Sequence, residues 1–198
     1  MEQNPEYGRM KGMRGKDVYP DADLEQHLVS TVYPPNAEAS ARKLSHVTSA
    51  FYGLGLKHLG LQCGWDKVDS VSKALFHELG QLKAAEAQEM GVSLPPDSRA
   101  PATVFVTAVY TSSPEYNFAL LTYTPEETVI RIFGACRYYR MAKRLNIAGY
   151  LTWPTLIPFF EGIVEHLGIP CSVEMKVSRL EDNDDCDYLA RFLMKKPV

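Results

Sequence analysis

Two cysteines in the last third of the chain, Cys136 and Cys186, are the residues whose type and setting could do chemistry. Cys136 stands in Gly134-Ala135-Cys136-Arg137-Tyr138-Tyr139, where an extended apolar run gives way to a basic helical pattern. At such a junction the unpaired N–H groups and the helix dipole favour a thiolate, and Arg137 and Arg140 would add to that effect. A thiolate there could attack a substrate or hold a ligand, provided the fold brings up a base; His58 and His166 are the candidates. An arginine of this segment turned inward would suit a carboxylate, because the guanidinium fork matches its two oxygens. Leu151-Thr152-Trp153-Pro154, with Phe159 beyond it, supplies an aromatic wall, and Asp184-Asp185-Cys186-Asp187-Tyr188 puts the second cysteine on a late strand. A structural zinc site normally shows a close pair of ligands, and none of the cysteines is so paired. Zinc would require Cys136, Cys171 and Cys186 to converge with Glu174 or a histidine, so no metal is expected. Neither GxGxxG, P-loop, GxSxG nor HExxH occurs, and no cofactor is expected.

The elements that must position these residues follow from periodicity. Residues 1–37 carry no sustained period, four prolines and a basic cluster (Arg9, Lys11, Arg14, Lys16). They read as an N-terminal arm, wrapped on the domain or in part disordered. Residues 38–198 read as one domain. In 38–62, Leu44, Val47, Phe51, Leu54, His58 and Leu61 recur at steps of three and four, an apolar stripe that predicts a helix with His58 on its inner face. Gly53 and Gly55 predict close packing or a bend there. A second helix is predicted over 66–90, with a stripe of Val68, Val71, Leu75, Leu79 and Leu82 and a stop at Gly91. The β-branched, aromatic run Thr103–Tyr110 predicts a strand, followed by strands at 118–123 and 128–133 around Thr124-Pro125-Glu126-Glu127. Helix is expected again over 136–146. An aromatic-rich helix follows, bounded by Pro154 and Gly168, with Pro158 awkward inside it. Strands at 172–179 and 186–193 flank an acidic turn. The order is α-α-β-β-β-α-α-β-β, an α+β domain with a mostly antiparallel sheet covered by helices.

With 198 residues, 45% of them hydrophobic and 23% charged, the chain can bury one sizeable core. A net charge of −3 speaks against general nucleic-acid binding, which needs a basic face. No apolar run approaches the ~20 residues that cross a bilayer. The expectation is a cytoplasmic protein with free thiols and no membrane partner, whose amphipathic helices are compatible with a homodimer.

Residues 128–192 resemble the end of the L-2-amino-thiazoline-4-carboxylic acid hydrolase-like proteins and, more distantly, the 4-vinyl reductase small-molecule-binding domains. The resemblance is carried by the apolar strand running into Cys136 and a helix, the aromatic-rich helix, the strand bearing Glu174 and Arg179, and the closing Asp185-Cys186-Asp187-Tyr188. It implies an α+β fold around a small-molecule cavity, and for the hydrolase, opening of a thiazoline ring by water. Trp153 departs from it, standing where a cysteine or other small residue is expected.

Two functions follow. One is an enzyme, hydrolytic in the leading version, acting on a small anionic or aromatic metabolite with Cys136 and His58 as catalytic residues. Arg137, Tyr138, Arg140, Trp153, Phe159 and Glu174 would hold the substrate. The other is a binding or sensor module that captures a hydrophobic molecule between helices and sheet without chemistry.

Overall fold

The structure, a computed structural model, describes residues 5–181 and 185–195. Two short helices come first, α1 (Pro5–Arg14) and α2 (Ala22–Thr31), so most of the described arm is helical. The long helices α3 (Ala37–Cys63) and α4 (Val68–Glu89) follow, joined through a 3-10 turn at Trp65–Lys67. Then come α5 (Arg99–Ser112), the hairpin β1 (Tyr116–Tyr123) and β2 (Glu127–Ala135), α6 (Arg137–Arg144) and α7 (Leu156–Leu167). A second hairpin closes the chain, β3 (Cys171–Leu180) and β4 (Asp185–Met194). All pairings are antiparallel, in the order β1-β2-β4-β3. The α+β class with an antiparallel sheet stands; α1 and α2 are added in the arm, and beyond residue 37 the element order changes at one place. The predicted acidic turn lies largely at 182–184, outside the described residues.

That place is 103–110, which is helix α5 and not a strand. Its β-branched residues favour a strand locally, but Pro101, Val104, Phe105, Ala108 and Val109 are buried at helical spacing against the sheet and α7. The threonines raise no obstacle. Thr103, Thr107 and Thr111 each donate their hydroxyl to the carbonyl four residues back, at 2.9–3.0 Å. Packing on one face overrides intrinsic preference here.

The sheet presents one buried face. Thr128, Ile130 and Ile132 of β2 and Cys186, Tyr188, Ala190 and Phe192 of β4 point to it at the strand period of two. Phe105 and Phe160 of the covering helices pack there, Phe160 edge-on to Phe192 at 4.9 Å. Cross-strand ion pairs, Arg131–Asp187 at 2.6 Å and Arg191–Glu127 at 2.6 Å, tie β2 to β4. Helices α4 and α7 approach almost backbone to backbone. A Cβ on Gly80 would strike the carbonyl oxygen of Phe159, and one on Gly162 that of His77. Helix α7 runs from Leu156 to a left-handed Gly168. Pro154 therefore precedes it, and Pro158 lies in its first turn, where a missing N–H leaves no hydrogen bond unmade.

Helix α3 reverses the expected orientation. Its buried residues are Ser45, Ser49, Gly53, Leu56 and Gly60, while Leu44, Val47, Phe51, Leu54, His58 and Leu61 are exposed. Small residues let α3 sit close to its neighbours: a Cβ on Gly53 would lie 2.7 Å from Leu145 and 2.8 Å from Met141 of the α6 region, and one on Gly60 would enter the Trp65 ring. Periodicity locates an apolar stripe but does not say which surface meets it. Among the described residues no helix is long and apolar enough to cross a membrane.

Candidate functional site

Helices α3 and α4, joined by the turn at Trp65–Lys67, line a common space together with residues of α5, α6 and α7. The result is a cavity of about 840 Å³. Its walls are apolar: Tyr52 and Leu56 of α3, Leu75 and Leu79 of α4, and Phe105 of α5 and Phe159 of α7. Three rings define one end. Tyr138 meets Phe76 edge-on at 4.9 Å and Tyr52 at 5.2 Å, while Tyr52 and Phe76 are 5.3 Å apart. The Tyr52 hydroxyl shares a hydrogen bond of 2.8 Å with Ser72, and burial pushes the phenol up, so it remains neutral.

Three charged residues line this space: Glu78, exposed on α4, Lys83, half-buried and paired with Glu86 at 2.5 Å, and Arg137, which is buried and whose charge is already balanced. Arg137, the first residue of α6, is 4% exposed and lines the cavity. Its Nη1 donates to the Glu115 carboxylate at 3.3 Å, to the Ser45 hydroxyl at 2.5 Å and to the Ser112 carbonyl at 2.7 Å. Its Nη2 donates to the Tyr138 hydroxyl at 2.9 Å, and the guanidinium lies 4.7 Å from that ring's centre. Glu115 is equally buried and also accepts the Ser45 hydroxyl. Among the described residues Arg137 Nε has no hydrogen-bond partner despite being buried. An unmade bond of this kind costs about 1–3 kcal/mol.

Behind this end lies a thiol–phenol cluster. Cys136 occupies the N-cap of α6 as expected, yet it is only 1% exposed and its Sγ accepts the Tyr116 hydroxyl at 3.3 Å. Burial raises the Cys136 thiol, outweighing the Tyr116 and Tyr188 hydroxyls and the backbone N–H groups that pull it down. At this helix N-terminus burial favours the thiol form. Burial likewise pushes the Cys186 thiol up to about 12 and the Tyr188 phenol far above its usual range. The Tyr188 hydroxyl sits beside both thiols without hydrogen-bond geometry to either. Tyr116 is the member that reaches the cavity.

Of the residues singled out from sequence, Arg137, Tyr138 and Phe159 meet at the cavity, and Cys136 stands one layer behind it. The others lie elsewhere. His58 is exposed on the outer face of α3 and outside the cavity lining. Arg140 Nη2 meets the His46 ring at 2.7 Å, and Glu174 on β3 faces Arg191 at 3.6 Å. Trp153 stacks edge-on with Tyr139 at 5.1 Å and donates its indole N–H to the Ala148 carbonyl, 3.1 Å away. Sequence reasoning missed Ser45, Glu115, Tyr52 and Phe76. Ser45 and Glu115 are 70 positions apart and carry no local signal. Among the described residues no group of three or more His, Cys, Asp or Glu side chains is placed to hold a metal ion.

Comparison with protein-family models, with characterised proteins and with solved structures returned no match. The class rests on the chain itself: an α+β protein with an antiparallel sheet and an apolar cavity among its helices.

Proposed function

We propose that the protein binds a small, apolar, uncharged molecule with a hydrogen-bond acceptor at one end, held in the cavity between α3 and α4. The observation that carries this reading is Arg137. It is a buried guanidinium at the wall of an apolar space, with one N–H unpartnered and its charge already paired with Glu115. A carboxylate brought to the Arg137 end would be one uncompensated negative charge in a low-dielectric site, which is costly, and Lys83 of the lining is already paired with Glu86. A carbonyl or ether oxygen would bring no such cost, and would pair with Nε once the side chains that cover it shift. The size of the cavity falls in the ~300–1,000 Å³ range of small-molecule sites, and its lining is mostly apolar, as in such sites.

Hydrolysis led by Cys136 gains no such support, since a nucleophile must be a thiolate and the surroundings of this thiol oppose one. The binding reading is tested with the uncharged fluorophore Nile red. Saturable binding at one site per chain is expected, weakened at least about tenfold by Leu79→Arg, which fills the cavity and charges it. Non-saturable binding, or equal binding by the variant, would overturn the assignment.

A further inference from the structure

The exposed stripe of α3 has a spacing that its own domain does not use. Leu44, Val47, Phe51, Leu54, His58 and Leu61 follow one another at intervals of three, four, three, four and three, the a/d repeat of a coiled-coil seam. A helix that packs only on its own domain shows a broader apolar face turned inward. Here the inward face is a different one, made of Ser45, Ser49, Gly53, Leu56 and Gly60, and the a/d seam looks out. Exposure runs from 44% at Leu54 to 76% at Phe51, and Leu75 and Leu82 of α4 extend the same apolar surface across the cavity mouth.

We infer that this seam is the interface with a second copy of the chain, α3 pairing with α3 about a two-fold axis. The exposure fits a partner. Five large apolar side chains of one helix face stand 44–76% open in a single contiguous stripe, the kind of patch that marks an interaction site. The flanks are right as well. At the positions beside the seam stand Lys43, Thr48, Ala50, Gly55, Lys57 and Gln62. Only the two lysines are charged, and pairing in either direction sets each of them opposite an uncharged residue. A two-fold interface must be complementary to itself, and a stripe lacking both acidic residues and like-charge encounters satisfies that. Gly55 has nothing within 4 Å of where its Cβ would be, so the facing helix can come close there. His58 is the one polar residue of the seam, a position that weakens a coiled coil while setting its register. The inference does not depend on the ligand reading. Phe51 alone belongs to both seam and cavity wall, so pairing would cover the cavity mouth.

The test is sedimentation equilibrium on the full chain from about 1 to 100 μM, a span that brackets the micromolar affinities of modest interfaces. Wild type is expected to be dimeric at the upper end. Leu54→Glu and Leu61→Glu, both outside the cavity lining, should each raise the dimer dissociation constant by about 100-fold or more, since each buries a charge in the seam. His58→Leu should lower it. Circular dichroism and the unfolding midpoint of the monomer should be unchanged in all three, because these side chains face outward. A wild-type chain that stays monomeric at 100 μM, or a dimer undisturbed by both glutamate substitutions, would overturn the inference.

Discussion

The buried pair Arg137–Glu115 ties α3, the α5–β1 connection and α6 together at the end of the cavity, and its removal one partner at a time has a calculable signature. Side-chain exposure is 5% for Arg137 and 4% for Glu115, so neither partner can turn to water when the other is lost. Arg137→Met leaves a buried carboxylate with the Ser45 hydroxyl as its remaining donor here. Glu115→Leu leaves a buried cation that keeps Ser45, the Ser112 carbonyl and Tyr138. Breaking such a pair costs about 3–5 kcal/mol, a large share of the ~5–15 kcal/mol that stabilises a domain. The double variant removes both charges together and restores apolar volume. It should cost far less than the two single changes summed, with a coupling of several kcal/mol, because replacing a buried pair by apolar residues is often near neutral. Guanidinium-chloride unfolding followed by the fluorescence of Trp65 and Trp153 measures all four proteins. Additive costs, or single variants that lose under about 1 kcal/mol, would mean that water reaches the pair and would refute the picture of a dry, neutralised charge.

Native-state alkylation should label one thiol per chain, Cys63, which is exposed, while Cys136, Cys171 and Cys186 react only on unfolding. Mass spectrometry after brief iodoacetamide treatment reads this directly, and prompt labelling of Cys136 would contradict the burial that raises its thiol. Acid should destabilise the sheet through Asp187, whose carboxyl is held below its usual value by hydrogen bonds from Arg131. A carboxyl depressed in the folded state stabilises at pH above its unfolded value, and that stabilisation fades as pH falls through the folded one. Stability of wild type should therefore drop from about pH 4 downward, and Asp187→Asn should be weaker at neutral pH yet fall less steeply in acid. Parallel curves for the two proteins would exclude this pair as a source of the acid response.

Much of the fold was legible because it is written in local period. The hairpins at 118–133 and 172–193, the helices near 38–62 and 66–90 and the Gly168 stop emerge within a few residues of their observed bounds. Helix α5 was not legible, since Thr103–Tyr110 has strand composition and becomes helical only by packing against a sheet that forms later in the chain. The inward face of α3 was hidden for a related reason. Its buried residues are small, and a serine–glycine stripe scores as nothing on a hydrophobicity pattern even though close packing requires it. At the cavity, Arg137 and Tyr138 stand out in sequence beside Cys136, and Phe159 in the aromatic run that follows Trp153. Glu115 and Ser45 do not, because their meaning lies in a contact across the fold. The burial of Cys136 was not legible either, because a sequence junction does not reveal it.

The central claim is that an apolar cavity with a neutralised arginine selects an uncharged acceptor. It is tested most directly by titrating wild type and the Arg137→Met, Glu115→Leu double variant with undecane, 2-undecanone and undecanoate, each displacing Nile red. The account predicts that wild type binds the ketone about tenfold or more tightly than the alkane, and undecanoate weakest, with the ketone's advantage over the alkane lost in the double variant. Tightest binding of undecanoate by wild type, or a ketone advantage that survives without the guanidinium, would contradict it.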